Sequence, residues 1–215
     1  MKVSPNQLPE LYESMQNAAC ILDMDVVPEL YVQSSPQANA YTLALQGTYI
    51  TSRPAIVVVT SALLDRCTDE EVQAIIGHEL GHLKCSHSLY LTLGGLASAP
   101  LRGLPLLGSQ VEQLLQDWKL AAEYSCDRAA LLVSQDVTIV AGAMLKLFGG
   151  TSRATNTQAF MDQSREYEEL LKDANPMVRA SIRMQQRTHP LPVKRIGELE
   201  SWFRSDEYKA IVKKE

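Results

Sequence analysis

An α+β fold, mainly helical with a small mixed or antiparallel sheet near the N-terminus, is expected from three observations. Strand-like runs are confined to residues 28–60. From Ser61 onward, apolar residues recur at helical spacing almost to the C-terminus. The run Ile56-Val57-Val58-Val59 is β-branched and apolar on both faces, which marks a central strand. At 215 residues, 46% apolar and 21% charged, the chain can bury a core without staples, and residues 1–215 are expected to form one domain.

The elements follow in order. Residues 6–24 read as a helix, with Leu8, Leu11, Tyr12, Met15, Ala18, Ala19 and Leu22 near one face. Pro28 to Val32, Ala40 to Leu45 and Ala55 to Thr60 read as strands, with a turn at Gln46-Gly47-Thr48. Thr68-Asp69-Glu70-Glu71 is a capping box that opens a helix over 68–91, with Val72, Ile75, Ile76, Leu80 and Leu83 as its apolar stripe. Further helices are expected over 109–134, 136–148, 157–173, 176–187 and 192–203, with a short one near 206–213. Gly149-Gly150-Thr151-Ser152, with Thr155-Asn156-Thr157, reads as a flexible loop able to cover a cleft.

Charge and composition narrow the function. A net charge of −5 gives no reason to expect nucleic acid. The cysteines Cys20, Cys67, Cys85 and Cys126 show no CxxC spacing, which favours a reducing compartment over two disulfides. Met1-Lys2-Val3-Ser4-Pro5 carries no signal-peptide pattern, so a soluble, cytoplasmic protein is expected, with a transit or membrane segment outside this chain left open. The most apolar stretch, Leu89 to Leu107, is broken by Gly94-Gly95, Pro100, Arg102, Gly103 and Pro105. Spanning a bilayer takes about 20 uninterrupted apolar residues. A buried cover is favoured for this stretch, with peripheral contact to a lipid surface as the alternative. Arg179, Arg183 and Arg187 form a helical stripe, read as a solvated face pairing with acidic 162–173 in preference to an anionic-surface contact.

The chemistry is concentrated in Gly77-His78-Glu79-Leu80-Gly81-His82, an H-E-x-x-H pattern in mid-helix. Residues four apart lie about 40° apart around a helix, since each turns about 100°. His78 and His82 therefore share a face and suit two ligands on one tetrahedral zinc. Glu79 is placed to take a proton from metal-activated water. A catalytic zinc needs a third protein ligand. On a continuous helix His87 would lie about 180° around from His78, so it is expected to point away as a surface or packing residue. Glu123 and Asp127 share a face of a later, apolar helix, where an acidic pair is costly without partners. A zinc ligand with an orienting carboxylate meets that need, and so does a surface pair near Lys119 and Arg128; spacing alone does not choose.

These motifs, with Thr188-His189-Pro190 and the following Arg195-Ile196, resemble the HtpX-type and CAAX-prenyl-protease-type zinc metallopeptidases, gluzincins whose third ligand is a glutamate. Asn39-Ala40-Tyr41 and the lead-in from Leu63 to Glu71 extend the resemblance to about residues 5–200, nearest to a soluble-looking cyanobacterial and plastid branch. The resemblance implies one zinc per chain, held by His78, His82 and Glu123, with Glu79 as general base and Asp127 orienting His78. It implies that His189 stabilises the oxyanion, and that Asn39 and Ala40 bind the substrate backbone as an added strand. Arg195 would steady the His189 loop. Without the resemblance, His189 would read as an ordinary loop histidine. The membrane-embedded relatives place transmembrane helices between the two metal motifs, where this chain has only the broken Leu89–Leu107 stretch. The implied activity is hydrolysis of peptide bonds in a peptide or protein substrate. The rival is a non-catalytic or membrane-surface binding protein on the same fold; Glu79 and Glu123, whose loss would support it, are both present.

Overall fold

The computed structural model describes residues 1–43, 55–101, 105–149, 155–185 and 190–213. Helix α1 (Pro9–Ile21) precedes the strands β1 (Glu29–Gln33), β2 (Ala40–Leu43) and β3 (Ile56–Thr60). They form a mixed sheet in the order β1-β3-β2, with β1 parallel and β2 antiparallel to β3. The β-branched run is indeed central: Val57 and Val59 are fully buried and Val58 nearly so. The rest is helical: α2 (Ser61–Leu64), α3 (Asp69–Lys84), α4 (His87–Ser98), α5 (Pro105–Ser134), α6 (Val137–Gly149), α7 (Thr157–Asp173), α8 (Pro176–Gln185), α9 (Pro192–Phe203) and α10 (Asp206–Val212).

Helix α3 divides two apolar clusters. Its Ile75, Ile76 and Leu80 join Met15, Val57, Val59 and Leu63 beneath the sheet. Its Ala74 belongs to a second cluster with Leu131, Ala141, Ile196 and Trp202 of the helical body. The capping box forms in full, with Thr68 accepting from the Glu71 amide and Glu71 accepting from the Thr68 amide. Buried Glu71 also takes the Lys146 ammonium at 2.5 Å, tying the start of α3 to α6. A Cβ at position 142 would lie 2.6 Å from the Glu71 Oε1, so Gly142 makes room for that carboxylate.

Two expectations are corrected. The helix expected over 68–91 is two helices. Lys84 ends α3, Ser86 adopts the left-handed conformation (φ 52°), and α4 starts at His87. Ser86 is neither glycine nor proline, so the break carries no breaker residue to announce it. The Leu89–Leu107 stretch is also not a buried cover. The inner side of α4 buries His87 and Ser98 and brings Gly94 against Leu115, but Leu89, Tyr90, Leu93, Leu96 and Leu107 are exposed. A helix apolar all round has one face too many for a single neighbour. Among the described residues, no helix is long and apolar enough to cross a membrane.

Other boundaries agree within a few residues; α5 begins earlier than expected, at Pro105, a residue suited to a first helical turn. The Gln46-Gly47-Thr48 turn, residues 150–154 of the glycine loop and the side chains of Arg179, Arg183 and Arg187 lie outside the described residues. On acidic α7, Asp162 pairs with Arg165, which also bonds Glu200 of α9.

Candidate active site

Helices α3 and α5 meet through small residues. A Cβ on Gly77 would approach Val133 Cγ2 at 2.9 Å and the Ala130 Cα at 3.3 Å; one on Gly81 would meet the Ala129 Cβ at 3.0 Å and the Cys126 Cα at 3.1 Å. Each glycine directly precedes a histidine, so close backbone approach sets His78 and His82 against the acidic face of α5. His78 Nε2 lies 3.7 Å from Glu123 Oε2, and His82 Nε2 lies 3.7 Å from Glu123 Oε1. Glu123 and Asp127 are both buried, Asp127 almost completely. That removes the surface-pair reading; Arg128 lies over the Trp202 ring instead.

Asp127 links two groups. Its Oδ1 accepts from His78 Nδ1 at 3.1 Å, and the other ring nitrogen, Nε2, faces Glu123. Arg195, buried on α9, donates to the same carboxylate through Nε at 2.8 Å and Nη2 at 2.5 Å, and its Nη1 lies 3.3 Å from Glu123 Oε2. Burial pushes the Asp127 carboxyl up, but the Arg195 charge and these hydrogen bonds outweigh it and hold the group at about 2. Burial pushes the Glu79 carboxyl upward, with His78 opposing and the neighbouring Glu123 charge adding to the rise. A carboxylate displaced towards neutral pH is matched to taking and returning a proton. Burial and the neighbouring His78 charge lower His82 to about 4, which keeps it neutral and able to donate a lone pair.

The donor separations are close to those around one zinc. Two ligand atoms each about 2.1 Å from a zinc stand about 3.4 Å apart, and the 3.7 Å separations here are a few tenths wider. Cys126 also brings its sulfur within 4.8 Å of both histidines. Burial and the nearby Glu123 and Asp127 push that thiol well above its ordinary value, whereas a metal needs the thiolate. Glu123 turns its two carboxylate oxygens to the two Nε2 atoms, 3.7 Å from each.

Asn39 and Ala40 line the same cleft of about 210 Å³ as His78, Glu79, His82, Glu123 and Arg195, with Met144 and Phe148 of α6 as an apolar wall. Asn39 stands just before β2, its backbone bonded to Thr60. By strand alternation the amide and carbonyl of Ala40 turn to the opposite, outer edge of the sheet. His189 lies outside the described residues, although Pro190, which follows it, is buried.

Sequence reasoning missed His87. Because α3 ends before it, its buried ring returns to the site: Nδ1 lies 3.2 Å from His82 Nδ1 and 3.5 Å from Cys126 Sγ. No periodicity signals this, because it depends on the turn at Ser86. The Phe148 wall and the Glu71–Lys146 pair were also missed; they arise from α6, whose sequence carries no motif.

Comparison with known proteins bears on this geometry. The model of peptidase family M48 matches residues 5–203. The chain belongs to peptidase family M48. It is 40% identical over 219 residues to the plastoglobule-localized metallopeptidase 48, chloroplastic, of Arabidopsis thaliana, covering 99% of this chain and 62% of that protein. It is 34% identical over 92 residues to a protease HtpX homolog of Moorella thermoacetica, covering 43% of this chain and 29% of that one. A protease HtpX homolog of Tropheryma whipplei is 26% identical over 231 residues, covering 92% and 74%. The chain thus spans less than two thirds of the first two of these relatives.

Proposed function

We propose that this M48 chain is a zinc-dependent metalloendopeptidase that hydrolyses peptide bonds, with one zinc held by His78, His82 and Glu123. The observation that carries the reading is the convergence of both Nε2 atoms on the two Glu123 oxygens, beside buried Glu79 and in a cleft bordered by a sheet edge. A bound zinc would supply the Lewis acidity that brings the pKa of water down to about 7. Glu79 accepts the proton of the attacking water and returns it to the leaving amine. Asp127 holds the His78 ring, and Arg195 holds Asp127. The outer edge at Ala40 offers one amide and one carbonyl to an extended substrate. His189 donates to the developing oxyanion.

The test is metal analysis of the purified protein beside a proteomic cleavage assay. Glu79→Gln is expected to keep zinc and fold and to lose hydrolysis, because an amide cannot accept the proton. Turnover near the parent rate in that variant would remove Glu79 from the role; a metal-free, inactive parent would favour the non-catalytic rival. His189→Ala is expected to lower kcat by about 10²–10³ with zinc content intact. Unchanged kcat would end the oxyanion role.

A second reading is favoured by the exposed apolar face of α4: the chain docks on a lipid surface in a plastid-like compartment, as the name of the Arabidopsis relative places that protein. Flotation with neutral-lipid vesicles, with and without Leu93→Asp and Leu96→Asp together, checks it; equal flotation of parent and variant would dismiss it.

A further inference from the structure

We propose that His87 is a positioning residue that accepts a hydrogen bond from His82 and so aims the His82 Nε2 lone pair at the metal. The inference rests on the zinc reading above.

The two imidazoles meet nitrogen to nitrogen, His87 Nδ1 to His82 Nδ1 at 3.2 Å. Two neutral rings in this contact form a hydrogen bond only if one donates and the other accepts. If His82 ligates through Nε2, its proton sits on Nδ1, and that proton points at His87. His87 must then accept on Nδ1 and carry its own proton on Nε2. This does for His82 what Asp127 does for His78. Ligating histidines nearly always give their second N–H to an outer partner, and losing that partner typically costs about 10–100-fold in metal affinity.

The ring is held for the task. His87 is buried, and its ring stands perpendicular to that of Trp118 with centroids 5.5 Å apart. Ser86 in the left-handed conformation swings the chain back so that the first residue of α4 faces the last turn of α3. The choice of a neutral acceptor also has a physical reason. Glu79, Glu123 and Asp127 already put three carboxylates around the metal position, with Arg195 as the buried cation among them. An imidazole fixes the second ligand without adding a fourth negative charge.

The test measures zinc affinity by chelator competition in the full chain, with metal-free thermal melting beside it. His87→Phe keeps a ring against Trp118 but has no acceptor; about 10–100-fold weaker zinc binding is expected, with little change in the metal-free melting temperature. His87→Gln restores an acceptor and is expected to return affinity to within a few-fold of the parent. Parent-like affinity in the Phe variant would overturn the assignment, as would a Gln variant as weak as Phe. Imidazole nitrogen NMR of the zinc-loaded parent needs no variant: His87 should appear as the Nε2–H tautomer, and an Nδ1–H tautomer would also overturn it. A parent that binds no zinc would instead sink the metallopeptidase reading, and this inference with it.

Discussion

Asp127 serves as an acceptor for His78 and as the counter-ion of Arg195 within a single buried carboxylate. Removing one partner of a buried ion pair strands the other charge, at a cost of about 3–5 kcal/mol. Asp127→Asn is therefore expected to destabilise the metal-free protein by about that amount, and to weaken zinc by about 10–100-fold through His78. The pH dependence has a definite sign. The folded Asp127 carboxyl sits at about 2 against an ordinary 3.8. Its stabilisation is complete above pH 4 or so, and is lost as the pH falls through that interval towards 2. Calorimetry of the metal-free protein between pH 2 and 5 should show the parent losing stability more steeply than Asp127→Asn; parallel curves would contradict the pairing.

Helices α3 and α5 gain the site by giving up side chains. Alanine is a better helix former than glycine by about 1 kcal/mol, so Gly81→Ala would stabilise an isolated α3. In the packed pair the new Cβ would press on the Cys126 backbone at 3.1 Å, where α5 itself must yield. Overpacking of this kind costs about 1–3 kcal/mol, which exceeds or cancels the propensity gain. Gly81→Ala is expected to lower stability in urea melts and to weaken zinc, because displacing α5 carries Glu123 away from both histidines. A more stable variant with parent zinc affinity would show that the close crossing does not set the ligand geometry.

For the molecule as a whole, the proposed metal would join two halves of the core: His78 and His82 belong to the helix beneath the sheet, Glu123 to the helical body. A ligand bound only by the folded state at about 1,000 times its Kd adds about 4 kcal/mol. For a chain of this size that corresponds to a melting shift on the order of 10 °C. Chelation should lower Tm by that order, and zinc should restore it; a Tm indifferent to zinc would speak against an ion bridging α3 and α5.

The sequence by itself determined the periodic elements and the local chemistry. The central strand at Ile56–Thr60, the Thr68–Glu71 capping box and the shared face of His78 and His82 each follow from spacing within one element, where geometry is set by the backbone period. Glu123 and Asp127 were legible as a pair on one face, but spacing left their partners open. Only the tertiary structure decided that this face is buried against α3, with Arg195 from α9 between the two carboxylates. It alone decided the place of His87, because one residue at φ 52° redirects the chain and no helical projection extends past such a turn. It also decided that the outer face of α4 stays open, since whether an apolar face is covered depends on which elements pack there and not on its own residues.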